Sequence, residues 1–338
     1  LNNAQLDEFT RLNRGFERYT SDAGQADRLF GIFEEWLRAK PGNPWFAYLH
    51  LLEAHWPYKP RRRHVALFGG NRDTNRFREF SARDFGRLRH SVHQGEKNLT
   101  DNDREELIQM YDGAVRRLDG KLRTLLKTLR AMGLEDETAI FVTSDHGEEF
   151  LDHGSIGHGH SLYEELTHVP LVAVVPVEPG DRQCHEPVSM VDLPTTMLRV
   201  AGVSESFTDR NLFDRNGGMS PVVSELSIRS RYLQTIQKGH WKLLRKFKFL
   251  APDSSPGLRF DFRCDSIVEK TNELFDLDSD PHEQVNLFED PASIPVVANL
   301  ESALDDWGDT HRLHSDQDSE TAVDDIVVAR LRDLGYLE

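Results

Sequence analysis

Apolar residues recur at helical spacing in three stretches of the chain. The first covers roughly residues 24–39, and the second covers Arg104 to Met132, where Thr100 or Asp101 is the expected N-cap. A shorter third pattern predicts a helix over Leu193–Ala201. Each pattern concentrates its apolar residues on one face, which is typical of a helix that packs against other elements.

Short apolar runs between these helices predict strands. They are WFAYLHLL at residues 45–52, Ala139–Thr143 and Val169–Val175. Strands that alternate with helices in this order are typical of an α/β fold, with a mostly parallel sheet flanked by helices. The polar, Arg-rich stretch from 53 to 98 is expected to form a long loop on the protein surface.

From residue 221 the pattern changes to short strand candidates separated by turns. They are PVVSEL, RYLQTIQ, HWKLLRKF and ELFDL, with no long helical pattern between them. This pattern of short strands without intervening helices predicts a smaller antiparallel sheet. The expected organisation is a main α/β domain over residues 1–215, a small antiparallel subdomain over 216–290, and an acidic tail over 291–338 that ends in an amphipathic helix.

Composition and charge exclude several classes of protein. The 338 residues carry a net charge of −16, and this acidic balance argues against a nucleic-acid partner. The sequence contains no run of 18 apolar residues, so no membrane span is expected. The two cysteines, Cys184 and Cys264, lie eighty residues apart and form no metal-binding framework. Nothing in the sequence indicates the oligomeric state.

Two candidate metal ligands, Asp145 and His146, directly follow the predicted strand Ala139–Thr143. Ligands of doubly wound sheets bind beyond the carboxyl ends of the strands, where a carboxylate and an imidazole can share one cation. The alternative is that Asp145 caps a turn and His146 is a surface residue. The metal site is favoured by Gly147, which suits a sharp turn, and by the histidines that follow. Those histidines are His153, His158 and His160.

A further candidate, His55, lies three residues after the predicted strand WFAYLHLL. Pro57 and Pro60 stiffen its loop. A histidine held rigidly at the carboxyl end of a strand suits proton donation to a leaving group. The alternative is a loop histidine that packs against Trp56.

Eight stretches of the chain, in the same order, resemble those of one family: the sulfatase family of the alkaline-phosphatase superfamily. The resemblance covers nearly the whole chain. It implies the α/β fold of that superfamily and a metal-dependent sulfuric ester hydrolase. The expected substrate is an anionic sulfate-ester small molecule or a sulfated glycan. The matching stretches are NPWFAYLHLLEAHWPYKP, YDGAVRRLDGKLRTLLKTLRAMGLEDETAIFVTSDHGEEF, GHGHSLYEELTHVPL, VDLPTTMLRVAGV, VVSE, HWKLL, NELFDLDSDPHEQVNL and VARLRDLGYL.

The resemblance also implies roles for individual residues. Asp145 and His146 match a pair that binds the divalent cation of the active site, usually calcium in this family. From the residues alone, the imidazole of His146 leaves Mn²⁺ or Zn²⁺ as an alternative. His55 matches a histidine that contacts the sulfate ester and helps to protonate the leaving oxygen.

The first of two departures from the family pattern concerns the anion site. Many members carry a lysine that grips the sulfate oxygens, and this chain has Gly159 at that position. The flanking His158 and His160 are the expected substitutes, with His160 preferred, and their charge depends on pH. His153 and Lys242 match positions that we interpret as structural.

The second departure concerns the nucleophile. Sulfatases use a Cys or Ser in a C/S-x-P-x-R element, whereas Cys184 lies in CHEPV and Cys264 in CDSIV. The expectation is therefore an N-terminally truncated sulfatase chain that is inactive or poorly active by itself. The alternatives are a phosphodiesterase or phosphonate-ester hydrolase of the same superfamily, and a non-catalytic pseudoenzyme that binds an anion.

Overall fold

The computed structural model describes residues 13–20, 26–39, 42, 44–176, 183–208, 210–213, 220–228, 230–249 and 267–311. Two features discussed above, Cys264 and the amphipathic helix expected near the end of the chain, lie outside these residues. The chain divides into two compact units, which are described separately. None of the helices in the described ranges is long and apolar enough to cross a membrane.

The first unit, which contains the described residues up to Thr138 and Gly154–Gly157, is built mainly from helices. They are α1 (Ala26–Arg38), α2 (Arg62–Val65), α3 (Ala82–His93) and α4 (Asp101–Ala131); the short strand β3 (Ile156–Gly157) also belongs to it. The helices predicted over 24–39 and Arg104–Met132 are therefore confirmed.

The start of α4 shows why its position could be predicted. The Thr100 hydroxyl accepts a hydrogen bond from the Asp103 amide at 3.2 Å, and the Asp103 carboxylate accepts one from the Thr100 amide at 2.9 Å. This reciprocal capping box satisfies two amides that the helix itself leaves without partners. At the other end, Gly133 has a φ of +71°, the left-handed conformation that favours glycine after a helix.

The first unit differs from the sequence analysis in two segments. Residues 45–52 form no strand with any described segment, and Phe46 and Tyr48 are 59% and 62% exposed. A short apolar run does not specify a hydrogen-bonding neighbour, and a strand requires one. The stretch from 53 to 98 is not only a surface loop as predicted, because it contains the helix α3, whose Phe85 and Leu88 are buried. Its many arginines obscured that helical pattern.

The second unit contains Ala139–His153 and the described residues from His158 onward. Strands β1 (Ile140–Thr143) and β4 (Leu171–Val174) confirm two predicted strands, but they pair antiparallel. The predicted parallel pairing does not occur between them. Parallel neighbours need a crossover, usually a helix. The described chain between these strands contains two short strands, β2 (Glu149–Phe150) and β3, and the four-residue helix α5 (Glu164–Thr167).

After β4, the helix α6 (Leu193–Val200) confirms the third predicted helix, and four strands then form an antiparallel sheet. This small sheet has the order β5-β6-β7-β8 and matches the sequence prediction. The strands are β5 (Val222–Ile228), β6 (Arg231–Lys238), β7 (Trp241–Phe249) and β8 (Ile267–Asp276).

A helix that the sequence analysis did not predict packs on the small sheet. It is α7 (Ile294–His311), and it contributes Leu300 and Leu304 to a buried core with Leu243 and Leu274 of the sheet. The segment had been expected to be part of an acidic tail. The helix contains four acidic residues, Glu301, Asp305, Asp306 and Asp309, and this charge hid the helical spacing of the two leucines.

Candidate functional site

The turn after β1 is fixed by its own polar groups. The Ser144 hydroxyl donates to the His146 carbonyl at 2.6 Å, and the His146 amide donates to Asp145 Oδ1 at 3.1 Å. Because β1 delivers the chain to this point, Asp145 and His146 lie at the carboxyl end of a strand, where the sequence analysis expected them.

The helix α5 lies directly against this turn. The amide of Gly147 donates to the Leu166 carbonyl at 2.9 Å, and the amide of Glu148 donates to the Glu165 carbonyl at 3.0 Å. A Cβ atom at position 147 would lie only 2.0 Å from the Glu165 carbonyl oxygen. Only glycine permits this close approach, so the turn and α5 form one packed arrangement.

The geometry of Asp145 and His146 suits a shared cation. The His146 Nδ1 atom lies 2.8 Å from the Gly147 carbonyl, so Nδ1 carries the proton and Nε2 carries the lone pair. That Nε2 atom is 3.7 Å from Asp145 Oδ1. Two ligands about 2.4 Å from one cation and at right angles lie roughly 3.4 Å apart. A backbone partner for the other ring nitrogen is also usual in metal-ligating histidines.

His158 is brought next to His146. Their rings stack with centroids 3.9 Å apart and planes inclined by 29°. The His158 Nδ1 atom donates to Glu148 Oε1 at 2.9 Å, and both side chains are buried. This hydrogen bond fixes the orientation of the His158 ring.

His160 has a different partner. Its Nε2 atom donates to Glu149 Oε2 at 2.5 Å, and Glu149 is 1% exposed. The other oxygen of Glu149 accepts the His153 amide at 3.1 Å. The buried carboxylate of Glu149 therefore links His153 to His160.

His153 is enclosed by acceptors. Its Nδ1 atom lies 2.8 Å from Glu165 Oε1, its Nε2 atom lies 3.1 Å from the Glu283 carbonyl, and its ring stacks on Tyr163 at 3.6 Å. Burial lowers the pKa of His153, but hydrogen bonds and charge from Glu165 and Glu283 outweigh burial, and the pKa lies above the usual value of 6.5. The ring links the loop to α5.

His55 lies in the first unit, whereas the other predicted site residues lie in the second. Its Nδ1 atom donates to the Trp56 carbonyl at 2.6 Å, and the two rings stack with centroids 5.3 Å apart. This is the packing that the sequence analysis weighed as the alternative. The meeting of His55 with Asp145 and His146 in one pocket stays a prediction.

The sequence analysis missed the acidic partners of the histidines, although Glu148 and Glu149 directly follow the Asp-His-Gly turn. It also missed a surface group of His240, Asp276 and Asp278, whose ligand atoms lie within 4.8 Å of one another. Within the described ranges this is the one group of three such residues with metal-binding spacing. Asp278 is 82% exposed, and no sequence motif had indicated the group.

Comparison with known proteins supports the resemblance. Bovine (Bos taurus) arylsulfatase K is 28% identical over 227 residues, covering 61% of this chain and 37% of the relative. Delta 4,5-hexuronate-2-O-sulfatase of Bacteroides thetaiotaomicron is 20% identical over 229 residues, covering 65% of this chain and 44% of the relative. The chain thus spans less than half of the length of these curated relatives.

The same fold occurs in solved structures. The phosphonate monoester hydrolase of Agrobacterium radiobacter superposes with a TM-score of 0.65 at 20% identity, covering 87% of this chain and 62% of that protein. This similarity confirms the predicted α/β fold class. The family model described as Sulfatase matches residues 3–203. That match extends over more than half of the 338 residues, and the chain belongs to the sulfatase family.

Proposed function

We propose that this protein hydrolyses sulfate esters and that Asp145 and His146 hold part of its divalent cation. The sulfatase family is metal-dependent, which supports the proposal. The observation that carries it is the arrangement after β1, where His146 Nε2 lies 3.7 Å from Asp145 Oδ1 and His158 stacks on the His146 ring. The two proposed cation ligands and a candidate anion-binding imidazole are therefore neighbours, which supports the proposal.

The proposed cation is calcium, with Mn²⁺ or Zn²⁺ as the alternatives that an imidazole ligand suggests. When bound, such a cation polarises the oxygens of the ester. Asp145 and His146 supply two ligands, and the other positions of its shell are filled by further residues or by water. The side chain of Asp145 is 62% exposed and that of His146 is 34% exposed, so both are accessible to an ion.

In this proposal His158 binds the sulfate oxygens. The sequence favoured His160. One ring nitrogen of each histidine is bound by a glutamate, and His158 is preferred here because its ring lies against that of His146. Glu148 holds the His158 ring in place. In this proposal His160 has a structural role, through its hydrogen bond to Glu149.

His55 is proposed as the proton donor to the leaving oxygen. The hydrogen bond from its Nδ1 atom to the Trp56 carbonyl fixes the ring and directs Nε2 as the nitrogen for proton transfer. The sequence contains no C/S-x-P-x-R element, and no residue of this chain is assigned as the nucleophile. The proposed substrate is a sulfated sugar or a smaller aryl sulfate; the name of the Bacteroides relative, a hexuronate-2-O-sulfatase, supports the sugar.

The test compares ester classes on the product of the complete reading frame. Initial rates are measured with 4-nitrophenyl sulfate and with 4-nitrophenyl phenylphosphonate, after chelation and after addition of calcium, manganese or zinc. The proposal predicts that the sulfate is hydrolysed faster and that calcium restores the rate. Faster phosphonate hydrolysis would favour the phosphonate-ester alternative, and no hydrolysis of either ester would favour the anion-binding pseudoenzyme.

A further inference from the structure

The turn that carries Asp145 and His146 depends on α5 for its position. The backbone carbonyls of Glu165 and Leu166 accept the amides of Glu148 and Gly147 at 3.0 and 2.9 Å. A four-residue helix has little stability of its own, because nucleating a helix costs more than so few hydrogen bonds return. Whatever fixes α5 therefore also fixes the turn.

One lysine of the small sheet contacts both ends of α5. The Nζ atom of Lys242, on β7, lies 2.7 Å from Glu164 Oε1 and 3.5 Å from Thr167 Oγ1. Glu164 is the first residue of α5 and Thr167 is the last. Lys242 is 1% exposed, which is unusual for a lysine and requires charged or polar partners.

Glu283 completes this contact. Its Oε1 atom lies 2.9 Å from Lys242 Nζ, and its Oε2 atom accepts the Glu164 amide at 2.6 Å. Glu283 is 2% exposed, and burial raises the pKa of its carboxyl while the charge of Lys242 opposes that rise. The first residue of α5 is thus held through its side chain by Lys242 and through its main chain by Glu283.

We propose that Lys242 is a positioning residue for the Asp145–His146 turn and acts through α5. What the turn binds rests on the proposed function, but the contacts and their test do not. Without the ammonium group between them, the buried carboxylate of Glu283 faces the partly exposed carboxylate of Glu164, which is unfavourable. α5 then moves, and its hydrogen bonds to Gly147 and Glu148 open. The small sheet is in this way part of the support of the site.

The test is residue-resolved amide hydrogen exchange on the full 338-residue chain. Lys242→Met is compared with Lys248→Met, because Lys248 lies on the same strand but pairs at the surface with Glu269 at 3.6 Å. We expect Lys242→Met to accelerate exchange of the Gly147 and Glu148 amides by about tenfold or more, with little change at Ile236 and Leu243 in the core of the sheet. Lys248→Met should leave both regions unchanged.

A second variant covers the case in which Lys242→Met fails to fold. Lys242→Met combined with Glu283→Gln removes both buried charges and keeps an oxygen acceptor for the Glu164 amide, so it avoids an unpaired buried carboxylate. It should still accelerate exchange at Gly147 and Glu148 because Glu164 has lost its lysine. Unchanged exchange at these amides, or equal acceleration there and in the sheet core, would overturn the proposal. Neither outcome depends on sulfate-ester hydrolysis, so failure here is distinct from failure of the proposed function.

Discussion

At the scale of single residues, Gly147 has the closest approach to another backbone among the described glycines. Its missing side chain leaves room for the Glu165 carbonyl oxygen, which a Cβ atom would meet at 2.0 Å. Relief of that clash would require the turn and α5 to separate, because the opposing atoms belong to the backbone and cannot rotate away. The residue next to His146 is therefore constrained by packing, independently of the chemistry of the turn.

We predict that Gly147→Ala destabilises the protein by about 2–3 kcal/mol, since it breaks two backbone hydrogen bonds worth roughly 1 kcal/mol each and adds strain. Urea unfolding measures the effect. Gly120→Ala is the matched control: Gly120 lies within α4 and a Cβ atom there meets nothing within 4 Å. The control should be neutral or stabilising by up to about 1 kcal/mol. A Gly147→Ala variant as stable as the control would refute the packing argument.

The residues of the turn could be predicted because three adjacent positions, Asp145, His146 and Gly147, follow a strand pattern directly. The partners of the histidines could not be assigned in the same way. Glu148 and Glu149 are next to each other in sequence, yet one pairs with His158 and the other with His160. Such pairings depend on how the loop folds back, which side-chain periodicity does not encode.

At the scale of elements, the sequence predicted where most helices and strands lie, but it did not predict which strands pair with each other. The helix α4 has a capping box at Thr100, and a two-residue turn, Gly239-His240, joins β6 to β7. The antiparallel pairing of β1 with β4 is a property of two segments about thirty residues apart. The strand predicted at 45–52 failed for the same reason, because its pattern gave no information about a neighbour.

The loop after β2, the helix α5 and the segment after β8 meet at His153. Glu165 and Glu283 face the ring nitrogens, Tyr163 covers the ring, and Glu149 binds the His153 amide. The pKa of His153 is raised above 6.5 in the fold, so protonation stabilises the folded state. This contribution is complete below the unfolded pKa and disappears as the pH rises through the raised folded pKa.

We therefore predict that the difference in unfolding free energy between the wild type and His153→Gln is largest at about pH 5 and shrinks as the pH rises through the raised folded pKa. Urea unfolding across this pH range gives the difference directly. His168→Gln is the control, because His168 lies at the end of α5 with its side chain 80% exposed. A difference that stays constant with pH would show that protonation of His153 contributes nothing.

At the scale of the whole molecule, family membership and fold class rest on the order of many weak motifs rather than on any one of them. The predicted catalytic arrangement brings His55 to within roughly 10 Å of Asp145 and His146, which is the size of a cation shell with a substrate. Ninety residues separate His55 from Asp145 in the sequence. Their meeting stays a prediction that rests on the family resemblance, because no local pattern relates two residues so far apart.

The proposed function depends most directly on cation binding at Asp145 and His146. The measurement is kcat for 4-nitrophenyl sulfate with saturating calcium, for Asp145→Asn and Asp278→Asn in the product of the complete reading frame. Asp278 belongs to the other described group with metal-binding spacing, with His240 and Asp276. We predict a loss of about a thousandfold for Asp145→Asn, as expected when a cation worth several kcal/mol is displaced, and no loss for Asp278→Asn. Full activity of Asp145→Asn, or loss confined to Asp278→Asn, would contradict the account.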